Sequence, residues 1–574
     1  MEEAVDGEYQ AYKAKDGAYV REKFFGKYPE LLDLVSNMSD DEIWRLNRGG
    51  HDPHKVYAAY AAAVKHKGQP TVILAKTVKG YGMGMAGEGQ NITHQQKKMG
   101  EEALKAFRDR FDIPIPDDKI GDAPFYKPPA DSEEMKYLEE RKQALGGSLF
   151  VAWPKAKSHK IPDVNIHDKL IAGTEGREIS TTMAFVRILN ALVKDKQIGK
   201  YIVPIVPDEA RTFGMEGMFR QLGIYSSVGQ LYEPMDSDQV MYYKEDIKGQ
   251  ILEEGINEAG SMSSWIAAAT AYKYHGVQMI PFYIYYSMFG FQRIGDLMWA
   301  AGDMRSRGFL LGGTAGRTTL AGEGLQHQDG HSHLAASTIP NCVAYDPAFA
   351  YELAIIIHNG LKRMFINDED VYYYITVMNE NYEHPAMPKG AEDGIIKGMY
   401  LFKRGGKKKL RVQLLGSGTI FREVLAAAEL LNKDFGVDAD IWSVTSFNEL
   451  RRDGLDADRW NMLHPGKTRK SSYVEKTLKD HKGPIIAATD YMKIHADQIR
   501  NFLPDRNYSV LGTDGFGRSD TRAQLRKHFE VNRYYIAIAA LKTLVDEKQL
   551  PASKLTEAIK KYKINPDKPN PVTV

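Results

Sequence analysis

The chain has 574 residues, which at about 150 residues per domain corresponds to three or four domains. Hydrophobic residues make up 43% and charged residues 26%, a globular balance that excludes a disordered or fibrous chain. The formal net charge is +1, so no general field attracts nucleic acid or an anionic membrane, and we expect neither as a partner.

The terminal and cysteine patterns indicate a soluble cytoplasmic protein. The single cysteine, Cys342, excludes a disulfide framework and fits a reducing compartment. The first ten residues, MEEAVDGEYQ, are acidic and have no apolar run, unlike a secretory signal. The uncharged stretch 274–292 approaches the length of a membrane span, but Pro281 and two glutamines favour a buried strand at 279–286 and a loop.

Short apolar runs separated by helical patterns predict an α/β fold with doubly wound parallel sheets. We expect a helix near 56–65 and strands at 71–75, 201–206, 279–286, 412–415, 439–444, 484–488 and 508–511. Each run ends in small or polar residues, and open α/β sheets bind ligands at that end of their strands.

Two changes of composition suggest domain boundaries. Residues 113–130 are rich in Pro and Asp, and a poorly patterned stretch continues to about 163; a second seam lies at 383–390. The predicted division is an N-terminal part (1–112), a linker (113–163), a central α/β domain (164–388) and a C-terminal α/β domain (389–574). The first part has one predicted strand, which cannot form a sheet alone. We therefore expect an appendage, or a domain whose remaining strands are supplied elsewhere.

The densest group of reactive side chains is GEGLQHQDGHSH at 322–333, which contains His327, Asp329, His331 and His333. One interpretation is a zinc or iron site, because His and Asp are good ligands for these metals. A second is a His-rich surface loop. A third is an active-site loop whose imidazoles move protons at an anionic intermediate.

Three further features are candidates for chemistry. Asp208 and Glu209 follow a predicted strand directly, where they either bind a ligand or cap the next helix. Glu258 precedes an apolar helix, where desolvation favours a protonated carboxyl group. The Gly-rich segment 76–94, with Lys79 and His94, is either a mobile active-site lid or an ordinary surface loop.

Eleven short sequence motifs, spread over essentially the whole chain, resemble those of a known family. They are KTVKGYGMG, DEARTFGMEG, EGINEAG, PFYIYYSMFGFQRIGD, GEGLQHQDGHSH, NENY, LLGSGTI, SVTSF, DRWNMLHP, ATDYMK and VLGTDGFGRSD. Together they resemble the homodimeric pyruvate dehydrogenase component of bacterial pyruvate dehydrogenase complexes, a thiamine-diphosphate enzyme of the transketolase-like group.

The resemblance implies three α/β domains, of which this chain aligns with the end of the diphosphate-binding domain and with the pyrimidine-binding and C-terminal domains. The family's GDG motif, which holds Mg²⁺ and diphosphate, has no counterpart here. We therefore expect the Mg²⁺ ligands outside this chain, no metal ligand within it, and activity that depends on a missing or separate N-terminal part.

The resemblance also implies roles for individual residues. Glu258 matches the carboxyl group that hydrogen-bonds the aminopyrimidine, Phe289 matches the ring that stacks on it, and Tyr286 lies beside it. His327 and His94 match histidines near the substrate and on the mobile loop. Lys79 is expected near the substrate or diphosphate. Asp208 and Glu209 match acids at a site that spans two subunits. These roles displace the metal interpretation of 322–333.

The expected activity is oxidative decarboxylation of pyruvate with acetyl transfer to the lipoyl domain of the dihydrolipoyl acetyltransferase component. A homodimer is expected, together with a possible separate chain that carries the diphosphate-binding domain. Two alternatives stay open: a non-catalytic assembly subunit, and a metal-dependent hydrolase built on the loop 322–333.

Overall fold

The computed structural model describes residues 3–46, 49–147, 155–208, 210–503 and 505–574. Within these residues the chain forms two compact units, Met1–Val151 and Ala152–Val574. No described helix is long and apolar enough to cross a membrane.

The first unit is helical in its described residues. Its helices are Asp6–Ala14, Gly17–Lys23, Pro29–Leu34, Asp40–Trp44, Pro53–Lys65, Glu101–Arg110 and Glu133–Ala144. A small apolar core gathers Tyr12, Val20, Val35 and Ile43. The helix predicted near 56–65 is confirmed, whereas no residue of Glu133–Ala144, inside the predicted linker, is buried.

The prediction of a buried strand at 71–75 is wrong. These residues have no regular secondary structure, and Val72 and Leu74 are 81% and 91% exposed. A strand is stabilised by hydrogen bonds to a neighbouring strand. The described residues of the first unit contain no such neighbour, so the apolar run stays without regular structure and exposed.

The second unit contains a six-stranded parallel sheet, with the order Leu252–Glu253, Ile202–Val206, Ile280–Tyr286, Phe309–Gly313, Tyr372–Thr376 and Cys342–Tyr345. The strands predicted at 201–206 and 279–286 are confirmed. Every residue of Phe309–Gly313 and Tyr372–Thr376 is buried, as expected for central strands with helices on both faces. The principal helices of this part are Thr181–Val193, Glu258–Tyr274, Phe291–Asp303, Ser332–Ser337 and Ala350–Phe365.

A second sheet of five strands follows, with the order Met399–Lys403, Asp438–Val444, Arg411–Gly416, Ile485–Ala488 and Tyr508–Leu511. Four of these strands are parallel and confirm the predictions, and the first is antiparallel to its neighbour. The principal helices here are Phe421–Phe435, Phe447–Leu463, Tyr473–Leu478, Arg522–His528, Arg533–Asp546 and Ala552–Lys561.

Buried carboxyl groups join the two sheets of the second unit. Asp490, after the strand Ile485–Ala488, accepts hydrogen bonds of 2.9 and 3.1 Å from the backbone amides of Thr318 and Thr319. Asp346, after the strand Cys342–Tyr345, accepts a 2.8 Å bond from the Thr376 hydroxyl of its own sheet and a 3.5 Å bond from the hydroxyl of Tyr491, the residue after Asp490. Burial, with a smaller effect from the nearby Asp490, raises the pKa of Asp346 to about 7 against the opposing effect of hydroxyl donors.

Candidate active site

Glu258 begins the helix Glu258–Tyr274 beside the six-stranded sheet. Asn257 caps this helix, because its side-chain oxygen accepts a 3.0 Å hydrogen bond from the Gly260 amide. The following turns bury Met262 and Trp265 in the apolar core. The capped helix start therefore places the Glu258 side chain at the edge of that core, where the residue is 8% exposed.

The Glu258 carboxylate contacts a cation. Arg293 Nη1, from the helix Phe291–Asp303, donates a 2.9 Å hydrogen bond to Glu258 Oε1. The sequence predicts apolar surroundings for this carboxyl group, and the later turns of its helix are apolar. The prediction does not include the arginine, because Arg293 lies 35 residues further along the chain.

Three rings form an aromatic cluster at the end of the strand Ile280–Tyr286. The ring centroids of Tyr286 and Phe289 are 5.7 Å apart, and each lies 5.1 Å from the imidazole of His327. The guanidinium carbon of Arg293 lies 3.9 Å from the Phe289 ring centroid, a cation–π contact. Arg293 thus connects Glu258 to the aromatic cluster and covers one face of Phe289.

An acidic side chain accompanies His327. Glu323 Oε2 lies 3.4 Å from His327 Nδ1, at ion-pair distance, while this buried nitrogen has no hydrogen-bond partner among the described residues. Sequence reasoning missed Glu323, although the i,i+4 spacing from His327 is visible in GEGLQHQ. The pair places a carboxylate where it can orient the imidazole.

The other reactive residues of 322–333 have separate environments. Asp329 accepts hydrogen bonds of 2.9 and 3.0 Å from the amides of His331 and Ser332, which fixes the loop. His333 is buried, lies 2.9 Å from the Thr376 hydroxyl and stacks on His495. Burial lowers the pKa of His333 well below its usual value, which indicates a neutral core histidine.

The structure does not favour the metal-dependent hydrolase. Across the part of the chain that the structure describes, no group of three or more His, Cys, Asp or Glu side chains converges as metal ligands do. The Asp329 carboxylate accepts hydrogen bonds from backbone amides, and His333 is buried in the core. Of the four candidate ligands in this loop, only His327 and His331 are partly exposed.

An open cavity of about 580 Å³ adjoins the aromatic cluster. Phe289 and Arg293 line one side of it, and His331, Gln328 and Phe516 line the others. A space of this size accommodates a cofactor ring or an extended substrate arm. Phe516, which is 74% exposed, comes from the second sheet's part of the unit, so both sheets contribute to this cavity.

The predicted acids after the strand Ile202–Val206 are only partly described. Asp208 is exposed, two residues beyond the strand. Glu209 lies outside the described residues. The structure therefore brings together Glu258, Tyr286, Phe289 and His327, and the part played by the two acids stays a prediction.

Lys79 and His94 lie in the first unit. Lys79 Nζ lies 3.0 Å from His94 Nδ1, and both side chains are exposed. The surrounding segment 76–94 contains the short 3₁₀ helices Gly84–Ala86 and Asn91–His94. The contact between these two side chains was not predicted from the sequence, and the predicted lid role of the segment stays a prediction.

A buried acid anchors this Gly-rich segment. Glu88 is 2% exposed, and its Oε2 accepts hydrogen bonds of 3.2 and 3.1 Å from the amides of Gly82 and Gly84. Burial raises the pKa of Glu88, but Arg110 and Lys13 more than offset this, so the pKa lies below its ordinary value. The hydrogen bonds of Glu88 therefore fix the backbone of the segment that carries Lys79 and His94.

Solved structures share this architecture. Transketolase from Campylobacter jejuni superposes with a TM-score of 0.58 at 18% identity and covers 86% of this chain and 66% of its own. Transketolase from Leishmania mexicana gives a TM-score of 0.55 at 16% identity, covering 87% and 65%. The two parallel-sheet layers and this similarity define a protein of the transketolase-like fold.

Sequence comparison gives the family. Residues 159–385 match the family described as pyruvate dehydrogenase E1 component middle domain, and 398–532 match the transketolase-like C-terminal domain. The pyruvate dehydrogenase E1 components of Pseudomonas aeruginosa and Escherichia coli K12 are 65% and 56% identical over 573 residues, 100% of this chain in coverage. The chain belongs to the pyruvate dehydrogenase E1 family, and it spans 65% and 64% of the length of these two relatives.

Proposed function

We propose that this chain supplies the pyrimidine-binding side of a thiamine-diphosphate site that decarboxylates pyruvate and passes the acetyl group to a lipoyl domain. One observation carries the proposal: a buried carboxylate, Glu258, is joined through Arg293 to an aromatic cluster that contains a histidine. The 65% and 56% identity of this chain to two pyruvate dehydrogenase E1 components supports pyruvate as the substrate.

The side chains fit the chemistry of an aminopyrimidine. Such a ring needs a carboxyl group at its N1′ nitrogen and an apolar surface against its face. Glu258 offers the first, and the face of Phe289 opposite Arg293 offers the second, with Tyr286 beside it. When bound, thiamine diphosphate supplies the carbon nucleophile that attacks the keto group of pyruvate.

Glu258 would act by polarisation. Glu258 Oε2, the oxygen that Arg293 does not bond, would share a proton with the ring nitrogen, and such a hydrogen bond is strengthened where water is excluded; Glu258 is 8% exposed. Arg293 holds the carboxylate in one orientation through its 2.9 Å bond. These two residues would thus fix the ring and favour the tautomer in which the cofactor's amino group removes a proton.

The remaining predicted residues are assigned to the substrate end of the site. His327, oriented by Glu323, would hold the pyruvate carboxylate or move a proton during acetyl transfer. His94 and Lys79 would act in the same transfer from the Gly-rich segment. Asp208 and Glu209 would lie where two subunits of a homodimer meet.

Mg²⁺ accompanies thiamine diphosphate in this proposal, and no described residue of this chain is assigned as its ligand. The proposed partners are the lipoyl domain of the dihydrolipoyl acetyltransferase component, a second copy of this chain, and a chain or segment that carries the diphosphate-binding domain. The cytoplasm is the proposed location.

The test measures pyruvate-dependent CO₂ release with an artificial electron acceptor, thiamine diphosphate and Mg²⁺. The chain is assayed alone and with the part of the Pseudomonas aeruginosa relative that it does not span. We expect activity in at least one of these arms. Glu258→Gln should reduce it by about 100-fold, because the amide cannot act as the same hydrogen-bonding acid.

Glu254→Gln is the matched control, because Glu254 is exposed four residues earlier. Unchanged activity in Glu258→Gln would overturn the assigned role of Glu258. Absence of activity in both arms, with folded protein, would favour the non-catalytic assembly subunit instead.

A further inference from the structure

A second charged cavity lies in the C-terminal part of the second unit. Its volume is about 750 Å³, and it shares no lining residue with the cavity beside Phe289. The helix Arg522–His528, the start of the helix Arg533–Asp546 and residues 562–568 form its walls. Seven of its lining side chains are Arg or Lys and two are Glu, so the cavity has an excess of positive charge.

Both glutamates are already paired within the wall. Glu423 Oε2 lies 2.9 Å from Arg533 Nε, and Glu380 Oε1 lies 2.6 Å from Arg422 Nη1. Arg526 contacts both carboxylates. Three arginines therefore share two carboxylates, and Lys568 pairs at 3.0 Å with Glu530 outside the lining, so the lining cations without an ion pair in the described residues are Arg522, Lys527 and Lys563.

Three arginines against two carboxylates leave an excess of one positive charge in this cluster, and its central cation, Arg526, is buried. The residue is 5% exposed, and its Nε has no hydrogen-bond partner among the described residues. A buried cation interacts more strongly with an approaching anion than an exposed one does, because the local dielectric is low.

Two lysines at the rim have charges available for a ligand. Lys527 and Lys563 line the cavity and are exposed, and their ammonium groups make no ion pair or hydrogen bond within the described residues. Unlike scattered surface lysines, they border a concavity whose wall already carries excess charge. The rings of Tyr534 and Tyr562, 5.1 Å apart, add apolar surface to the same cavity.

We propose that this cavity binds a small phosphorylated metabolite. Guanidinium and ammonium groups together favour phosphate oxygens, since arginine donates in a fork and lysine acts as a point charge. The volume lies in the range of small-molecule sites, and a concave site of this kind suits a compact ligand better than an extended polymer. The organic part would rest on the tyrosine rings.

The test is isothermal titration calorimetry of the chain with inorganic pyrophosphate at constant ionic strength, because screening alone changes anion binding. We expect saturable binding. The double variant Lys527→Gln/Lys563→Gln should weaken it by about 10-fold, and Lys527→Glu/Lys563→Glu should weaken it further. The control Lys407→Gln/Lys409→Gln removes the same charge from an exposed basic turn outside the cavity and should leave binding unchanged.

Titration with citrate tests whether the cavity prefers phosphate groups to carboxylate groups. Weaker binding of citrate than of pyrophosphate supports a phosphate site, whereas equal binding overturns the phosphate assignment. Absence of saturable pyrophosphate binding, or equal weakening by the two Lys→Gln pairs, overturns the site itself. Thermal unfolding of each variant verifies the fold. None of these measurements depends on catalysis, so the result is independent of the proposed function.

Discussion

Arg293 Nη1 donates a 2.9 Å hydrogen bond to the Glu258 carboxylate, and this bond joins the starts of two helices that pack together. The side chains of Arg293 and Glu258 are 50% and 10% exposed. Removing the arginine therefore leaves a largely buried carboxylate without this cation, and its desolvation is no longer offset.

Arg293→Met should lower the free energy of unfolding by about 1 kcal/mol, a value limited by the partial exposure of the arginine. Chemical denaturation measures this change. Lys542→Met removes one partner of an exposed i,i+4 pair with Asp546 and should cost no more than about 0.5 kcal/mol. Equal losses in the two variants would show that the Glu258 contact adds no more stability than an exposed surface pair.

The sheets could be predicted largely from short apolar runs, and the exceptions have physical causes. Phe309–Gly313 was not among the predicted strands, because it ends in two glycines and shows no long apolar run. The packing explains why both positions are glycine. A Cβ on Gly312 would lie 2.5 Å from the Tyr374 hydroxyl, and one on Gly313 would lie 2.5 Å from the Phe213 ring. The strand predicted at 71–75 is absent although its sequence is apolar, because an apolar run without a neighbouring strand does not form a sheet.

The candidate site shows what a linear pattern cannot supply. Glu258, Phe289 and Tyr286 could be proposed from sequence words, and the structure brings them near His327. The contact of Arg293 with Glu258 depends on helices that begin 33 residues apart, at Glu258 and Phe291, and no local pattern specifies it.

His94→Ala should impair acetylation of a lipoyl domain more than decarboxylation measured with an artificial acceptor. The expected loss in acetylation is about 100-fold, the usual scale for a general acid or base, because His94 and its neighbour Lys79 are assigned to the transfer step. Parallel rate assays with the two acceptors measure the difference. His66→Ala, an exposed histidine in the same unit, is the control, and equal losses in the two assays would contradict the assignment.

Asp346 should make the stability of the second unit depend on pH. Its pKa is about 7 in the folded protein, because burial opposes ionisation, whereas an unfolded aspartate titrates near 3.9. The folded state therefore binds the extra proton between these values, and this group's contribution to stability falls as the pH rises from about 4 to about 7. The carboxyl groups of Asp490 and Glu352 also raise the pKa of Asp346 by charge repulsion.

Asp346→Asn should remove this dependence, because the amide oxygen can still accept the Thr376 hydroxyl but does not ionise. The variant should gain up to about 1.4 kcal/mol per pH unit relative to the parent across that window. Urea denaturation at pH 5 and pH 8 measures the change. Asp296→Asn, at an exposed position, is the control, and parallel profiles for parent and Asp346→Asn would contradict the expected linkage.

Gly454→Ala tests the packing of the C-terminal core. Gly454 lies inside the helix Phe447–Leu463, where alanine is normally favoured over glycine by about 1 kcal/mol. A Cβ there would lie 2.5 Å from the ring of Phe502, which is 6% exposed and enclosed by the core. Overpacking of this kind costs about 1–3 kcal/mol, so the net change should be destabilising.

Gly295→Ala is the comparison substitution, because Gly295 begins the helical part that follows the kink at Ile294 and a Cβ there meets nothing within 4 Å. It should stabilise the chain by up to about 1 kcal/mol through helix propensity alone. Thermal and chemical unfolding of both variants measure the contrast. Stabilisation by Gly454→Ala would mean that the Phe502 ring moves aside at little cost, and the close approach of this helix to Phe502 would then not depend on glycine.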